Sequence, residues 1–122
     1  MYSVFVEELE FYGHHGVSPE EQTVGHRFAV NASVVIAAGL PESDDVADTV
    51  DYSLLAQRIV EVGTGRRFKT VEALTASMCN AILDSFPRVE EVCLVVSKLL
   101  PPFDHVATAA GVSATVTRAR VK

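Results

Sequence analysis

Between Arg27 and Ala38 the chain alternates. Phe28, Val30, Ala32, Val34 and Ile36 are interleaved with Ala29, Asn31, Ser33, Val35 and Ala37. A period of two puts successive side chains on opposite faces, which is the signature of a strand and not of a helix. One long apolar strand requires a sheet around it, and the rest of the chain supplies the pieces. Val4 to Tyr12 reads as a strand with Phe5, Leu9 and Phe11 on one side. Val89 to Lys98 reads as another, apolar on both faces through Val92-Cys93-Leu94-Val95-Val96, which predicts cover on both sides. Val112 to Arg118 reads as a fourth, with Val112, Ala114 and Val116 facing one way.

Two helices fall between these pairs of strands. Gly39 to Asp51 is acidic and turn-rich, with Pro41, Asp44, Asp45 and Asp48. Asp51 or Ser53 then caps a helix over Leu54–Val62, ended by Gly63-Thr64-Gly65. A second helix over Thr70–Ser85 carries Val71, Leu74, Met78 and Ile82 as one apolar stripe, with Pro87 beyond its end. The order strand, strand, helix, helix, strand, strand predicts one α+β domain over residues 1–122, a four-stranded antiparallel sheet with two helices on one face. The long apolar second strand is expected to leave an edge in need of a partner. Joining several copies edge to edge into a closed barrel would remove that edge.

Composition excludes several classes. Hydrophobic residues make up 48% and charged residues 21%, a globular balance. The net charge is −6 and the pI about 5.1, which argues against a nucleic-acid partner. Arg118, Arg120 and Lys122 read as a small, solvated basic tail. The apolar runs are shorter than the ~18–20 residues that cross a bilayer, and the N-terminus lacks the basic and apolar regions of a signal peptide. Cys79 and Cys93 show no pairing pattern and read as core fillers in a reducing cytoplasm. His14, His15 and His26 do not complete a tetrahedral set at the usual spacing, so no metal is expected. His105, beside Asp104 in a proline-containing loop, is expected to be exposed. There is no phosphate-binding glycine loop and no Gly-x-Ser-x-Gly elbow.

Glu21, Tyr52, Glu72 and Lys98 stand where local structure changes, which is where sites tend to lie. Each also has an ordinary explanation. Glu21 is a loop glutamate between two strands. Tyr52 is a packing residue before a helix. Glu72 favours the helix dipole in a first turn, and Lys98 is a strand end reaching water.

Four blocks in order carry a resemblance. They are Phe11-Tyr12-Gly13-His14-His15-Gly16-Val17 with Pro19-Glu20-Glu21 and Gly25-His26-Arg27-Phe28; Asp44-Asp45-Val46-Ala47-Asp48-Thr49-Val50-Asp51-Tyr52; Phe68-Lys69-Thr70-Val71-Glu72-Ala73-Leu74; and Val95-Val96-Ser97-Lys98 with Pro101-Pro102. Together they resemble the dihydroneopterin aldolase family of the tunnelling fold, over almost the whole chain. The resemblance implies a ββααββ subunit and homo-tetramers or homo-octamers built around a multi-subunit β-barrel, with sites between subunits. It implies a metal-free and cofactor-free lyase of cytoplasmic folate biosynthesis acting on a pterin. Glu72 matches the pterin anchor, with Val71 and Val50 expected to line the same site. Glu21, Tyr52 and Lys98 match the catalytic glutamate, tyrosine and lysine.

The chain departs from the family pattern at Leu99-Leu100-Pro101-Pro102-Phe103, where proline often follows the lysine directly. It also departs at His14 and at Thr70-Val71. The first departure bears on side-chain specificity more than on pterin binding. The rival readings are a dihydroneopterin triphosphate epimerase, with Arg66, Arg67 and Lys69 as its basic cluster, a non-catalytic pterin-binding paralogue, and a zinc-dependent pterin synthase. The last lacks a spaced histidine triad.

Overall fold

The computed structural model describes residues 1–101, 103 and 105–118. Its elements are β1 (Tyr2–Gly13), α1 (Pro19–Val24), β2 (His26–Ile36), a 3-10 turn (Val46–Asp48), α2 (Tyr52–Gly65), α3 (Val71–Ser85), β3 (Val89–Leu99) and β4 (Ala109–Thr117). The strands form one antiparallel sheet in the order β1-β2-β3-β4. The expected α+β architecture is present, with α2 and α3 packed on one face.

The alternation in β2 explains that packing. Phe28, Val30, Ala32, Val34 and Ile36 are all buried, facing Leu55 and Ile59 of α2 and Leu74, Met78 and Ile82 of α3 within one core cluster. Fully burying side chains of this size contributes about 1.5–3 kcal/mol each, so the stripe of α3 and the even positions of β2 select this face together. Val92, Leu94 and Val96 of β3 continue the layer, and Val112, Ala114 and Val116 of β4 pair with Val96, Leu94 and Val92.

Expectations are corrected at five places. β2 is not an edge, because β1 and β3 flank it; the edges of the sheet are β1 and β4. Phe5 does not share a face with Leu9 and Phe11. Val6 pairs with Ala32 and Leu9 with Val30, so one extra residue enters β1, and the inserted residue reverses the alternation. Glu8 takes φ 51° at this bulge. Its N–H donates to Asn31 Oδ1 at 2.9 Å, and Asn31 Nδ2 donates back to Glu8 Oε1 at 3.0 Å. Phe5 therefore points away from the helices, 61% exposed.

Third, β3 is covered on one side only within this chain: Val95 is 41% exposed and Cys93 half-buried on the helix-free face. Cys79 is the buried thiol, so only one of the two fills the core. Fourth, Gly63 does not end α2, which runs on to Gly65. The ring of Phe11 packs where a side chain on Gly63 would be, within 2.6 Å of its would-be Cβ. Fifth, Arg118 is not a solvated tail. Its Nη2 donates to Leu83 O at 2.8 Å and Phe86 O at 3.1 Å, and its Nε donates to Val89 O at 2.9 Å, closing the C-terminal end of α3. His105 is exposed, as expected. Pro102, Asp104, Arg120 and Lys122 lie outside the described residues.

Candidate active site

Lys98 continues the core-facing row of β3, two residues past Val96, and stands opposite Phe28 on one side and Ala110 on the other. The hydrophobic layer ends here, so its ammonium group emerges at the rim of the core. Nζ lies 5.7 Å from the centre of the Phe28 ring and 2.5 Å from Glu21 Oε2. The side chains of this pair are 12% and 27% exposed.

Glu21 is presented by a helix where a loop was expected. Ser18 caps α1, with Pro19 following. The Glu21 N–H donates to Ser18 Oγ at 3.2 Å, and Ser18 Oγ–H donates to Glu21 Oε1 at 3.3 Å. Ser, then Pro at the first helical position, then Glu three after the cap is a helix-start pattern, and it was the signal available in the sequence. The helix ends after one turn and a half at Gly25, whose φ of 80° suits glycine. The hydrogen bond from Lys98 is the main reason the Glu21 carboxyl is held below its ordinary value; it outweighs the opposing effect of partial desolvation, and the Ser18 contacts assist. Glu21 is thus a carboxylate at neutral pH. The Glu21 side chain also needs Gly16: a Cβ there would fall 2.4 Å from Glu21 Cβ and 2.7 Å from its carboxylate.

The opposite wall is the start of α3. Thr70 caps it, accepting from Ala73 N–H at 3.1 Å, and Glu72 lies in the first turn. First-turn N–H groups have no partner within their helix, so this wall offers donors beside a carboxylate. Glu21, Lys98, Lys69, Val71 and Glu72 line one cavity of about 440 Å³, with Pro101 and Phe103 from the loop after β3 and Ala110 to Val112 from β4. That volume suits a small molecule. The loop is held at both sides: Leu100, at φ 46°, donates its N–H to Thr108 O at 2.9 Å, and His26 Nε2 bonds to Leu99 O.

Two expected site residues are elsewhere. Tyr52, the first residue of α2, is 66% exposed, and Val50 is buried in the core beneath the acidic loop. Neither lines the cavity. Thr49 Oγ1 is tied to Tyr2 OH at 2.8 Å, and Asp51 caps α2 through Ser53 N–H at 2.8 Å, so this corner is rigidly built at a separate place. Of the basic cluster, Lys69 alone reaches the cavity; Arg66 stacks 4.4 Å over the Phe68 ring and Arg67 borders a different depression. His14 Nδ1 is 3.0 Å from Gln22 O, and both ring nitrogens of His15 carry hydrogen bonds. Among the described residues no group of three or more His, Cys, Asp or Glu is arranged to hold a metal, and no helix is long and apolar enough to cross a membrane.

The family model for FolB, dihydroneopterin aldolase, matches residues 4–115. The chain belongs to the dihydroneopterin aldolase family. A dihydroneopterin aldolase of Methylorubrum extorquens is 36% identical over 104 residues, 84% of this chain and 80% of that protein. The dihydroneopterin aldolase of Bacillus subtilis is 33% identical over 103 residues, 84% of this chain and 86% of that one. The crystal structure of E. coli dihydroneopterin aldolase in complex with neopterin superposes with a TM-score of 0.84 at 28% identity, covering 95% of this chain and 99% of that chain. An enzyme of the dihydroneopterin aldolase family thus places three of its matched residues, Glu21, Glu72 and Lys98, around one cavity, and holds the fourth, Tyr52, apart from it.

Proposed function

We propose that this cavity binds 7,8-dihydroneopterin and cleaves its C1′–C2′ bond, giving 6-hydroxymethyl-7,8-dihydropterin and glycolaldehyde for folate synthesis. The observation that carries the reading is the Lys98–Glu21 pair at 2.5 Å in the same cavity as Glu72. A pterin presents a ring N–H and an amino group side by side, and the Glu72 carboxylate can accept both bonds in a fork that fixes orientation. Val71, on the same helix turn, supplies backbone to that wall.

The chemistry asks little more of the protein. A base removes the 2′-hydroxyl proton, the C1′–C2′ bond breaks, and its electron pair passes through C6 to N5, which gains a proton. The C6=N5 imine of the substrate is the electron sink, so neither a Schiff base on Lys98 nor a metal is required by the reaction. Lys98, kept beside a carboxylate, delivers and retrieves the N5 proton through water, and Glu21 orients that water or the side-chain hydroxyls. Tyr52 returns a proton to C1′ as the N5 proton leaves. Re-addition of glycolaldehyde through its other face gives 7,8-dihydromonapterin, an epimerase side activity.

Tyr52 can act only if a second copy brings it to the cavity. The helix-free sheet face, with Phe5 and Val95 exposed, and the open edges of β1 and β4 support a ring of copies forming a multi-subunit β-barrel, as a homo-tetramer or homo-octamer in the cytoplasm. Val50, two residues before Tyr52, arrives with it as the further substrate-binding residue.

The test is product formation from 7,8-dihydroneopterin with a chelator present. Rapid glycolaldehyde release that falls by about 10²–10⁴-fold in Lys98→Ala supports the reading. Pterin binding without cleavage in the unaltered protein would favour the non-catalytic reading. The triphosphate is expected to be the poorer substrate, because Lys69 is the one basic group beside Lys98 on the described cavity wall.

A further inference from the structure

His15 takes no part in the chemistry above and does not line the cavity, yet its polar side chain is almost wholly enclosed beside the cavity wall. β1 ends at Gly13, the chain turns inward, and His15 is left 1% exposed. Its ring sits among Phe11, Phe28 and Phe68, with centroids 6.4, 5.3 and 5.5 Å away.

Both ring nitrogens are used. The Phe68 N–H donates to Nδ1 at 3.0 Å, so Nδ1 carries no proton. Nε2, which must then hold the proton, donates to Gly63 O at 2.6 Å, at the end of α2. The next residue closes the clasp: Gly16 N–H donates to Phe68 O at 3.0 Å. His15 and Gly16 thus hold the N–H and C=O of one residue in the α2–α3 connection. Within that connection Phe68 is buried while Arg66, Arg67, Lys69 and Thr70 are exposed. Phe68 is therefore its fixed point, and the residues that follow, Lys69 to Glu72, form a cavity wall. On the other side of the clasp, Gly16 and Val17 line the same cavity against Glu21.

We infer that His15 is a positioning residue for pterin binding, a rigid strut whose acceptor at Nδ1 and donor at Nε2 set the start of α3, and with it Glu72, at a fixed distance from the Glu21 wall. This rests on the reading of Glu72 as the pterin anchor. A neutral imidazole is required, because a proton on Nδ1 would face the Phe68 N–H and break the clasp. The charged or titratable groups around it are His14 from its own segment, Lys98 from β3 across the Phe28 ring, Glu21 from α1 behind Gly16, and Arg66 over the Phe68 ring. Burial, with smaller help from His14 and Lys98, keeps the imidazole neutral below its ordinary range.

The experiment compares neopterin affinity and turnover in the assembled enzyme with His15→Phe, His15→Asn and Glu72→Ala. Phenylalanine keeps the ring and removes both bonds. Asparagine can still accept from Phe68 and cannot be protonated. His15→Phe is expected to raise KM and the neopterin Kd by about ten-fold or more while kcat changes by less than about three-fold. His15→Asn should recover most of the affinity. It should also lose the part of the fall in affinity on acidification that the unaltered enzyme shows. A folded His15→Phe protein with unchanged Kd overturns the inference, as does a loss confined to kcat. If His15→Phe does not fold, the asparagine variant decides alone: identical pH profiles of affinity in it and in the unaltered enzyme sink the strut. Weakened binding in Glu72→Ala with His15→Phe unaffected refutes the strut and keeps the anchor. The reverse pattern refutes Glu72 as anchor and leaves the strut acting on the rest of that wall.

Discussion

Glu21 Oε2 receives a hydrogen bond from Lys98 Nζ at 2.5 Å across 77 positions of sequence, joining a one-and-a-half-turn helix to the end of a central strand. The pair keeps the carboxyl charged and the ammonium anchored at the cavity rim. A carboxyl whose folded value lies below its unfolded one contributes stability that is complete above the unfolded value, here the ordinary 4.5, and that is lost as pH falls through the folded value. Melting temperature should therefore fall on acidification below about pH 4.5, and Glu21→Gln should flatten that part of the curve. The same variant should lower kcat by about 10²-fold with a smaller change in KM, since it leaves the Glu72 wall intact. An unchanged kcat would remove Glu21 from the mechanism.

Gly16 exists for Glu21. Its would-be Cβ lies 2.4 Å from Glu21 Cβ, a contact with the fixed root of the side chain and not with its flexible tip. Gly16→Ala should push α1 outward and lengthen the bond to Lys98. Displacements near 1 Å cost on the order of 10²-fold in turnover. The expected result is a folded protein with near-normal neopterin affinity and kcat reduced by about ten-fold or more. Loss of affinity with kcat retained would mean that Gly16 serves the Phe68 clasp first.

The fold was legible where periodicity was long. The alternation of β2 and the stripe Val71, Leu74, Met78, Ile82 are each repeated often enough to fix an element and its buried face. Phe5 was misplaced because a bulge leaves no mark on composition, and one inserted residue reverses every side chain before it. The edge assignment of β2 failed because strand order depends on which strands pair, and a run of apolar residues suits a central strand as well as an edge. Single residues were harder still. Glu21, Glu72 and Lys98 lie 51 and 26 positions apart along the chain, and only folding brings them to one cavity. Resemblance supplied the roles proposed for them; spacing alone did not. Arg118 looked like tail charge because its partners are backbone carbonyls, which carry no sequence signal.

That arginine should matter for stability and little for catalysis. Its guanidinium donates to Leu83 O, Phe86 O and Val89 O, while its own N–H donates to Glu90 O at 2.8 Å. These carbonyls belong to the last turn of α3 and the start of β3, where acceptors outnumber backbone donors. Hydrogen bonds from a charged donor contribute about 1.5–3 kcal/mol, so Arg118→Ala should destabilise by about 2 kcal/mol in denaturant titration. Arg118→Lys should recover only part of this, because one ammonium cannot reach all three carbonyls in the planar fork of a guanidinium. Unchanged stability in Arg118→Ala would show that water replaces the clamp.

Tyr52 and Lys98 give the sharpest test of where the site is completed. Tyr52 is 66% exposed at the first turn of α2, outside the cavity that Lys98 lines. If the two act from different copies, Lys98→Ala and Tyr52→Phe proteins should each be weak alone. Co-assembled from the unfolded state, they should regain activity, because random pairing joins an intact Lys98 from one copy with an intact Tyr52 from its neighbour at about a quarter of the sites. The double variant carrying both changes on one chain, mixed with unaltered chain, should also retain about a quarter of intact sites at equal proportions, which calibrates the assembly. Mixed single variants that stay inactive, with the double-variant mixture keeping about half of its activity, would place Tyr52 and Lys98 in one subunit's site. A Tyr52→Phe protein that is fully active alone would remove Tyr52 from the reaction.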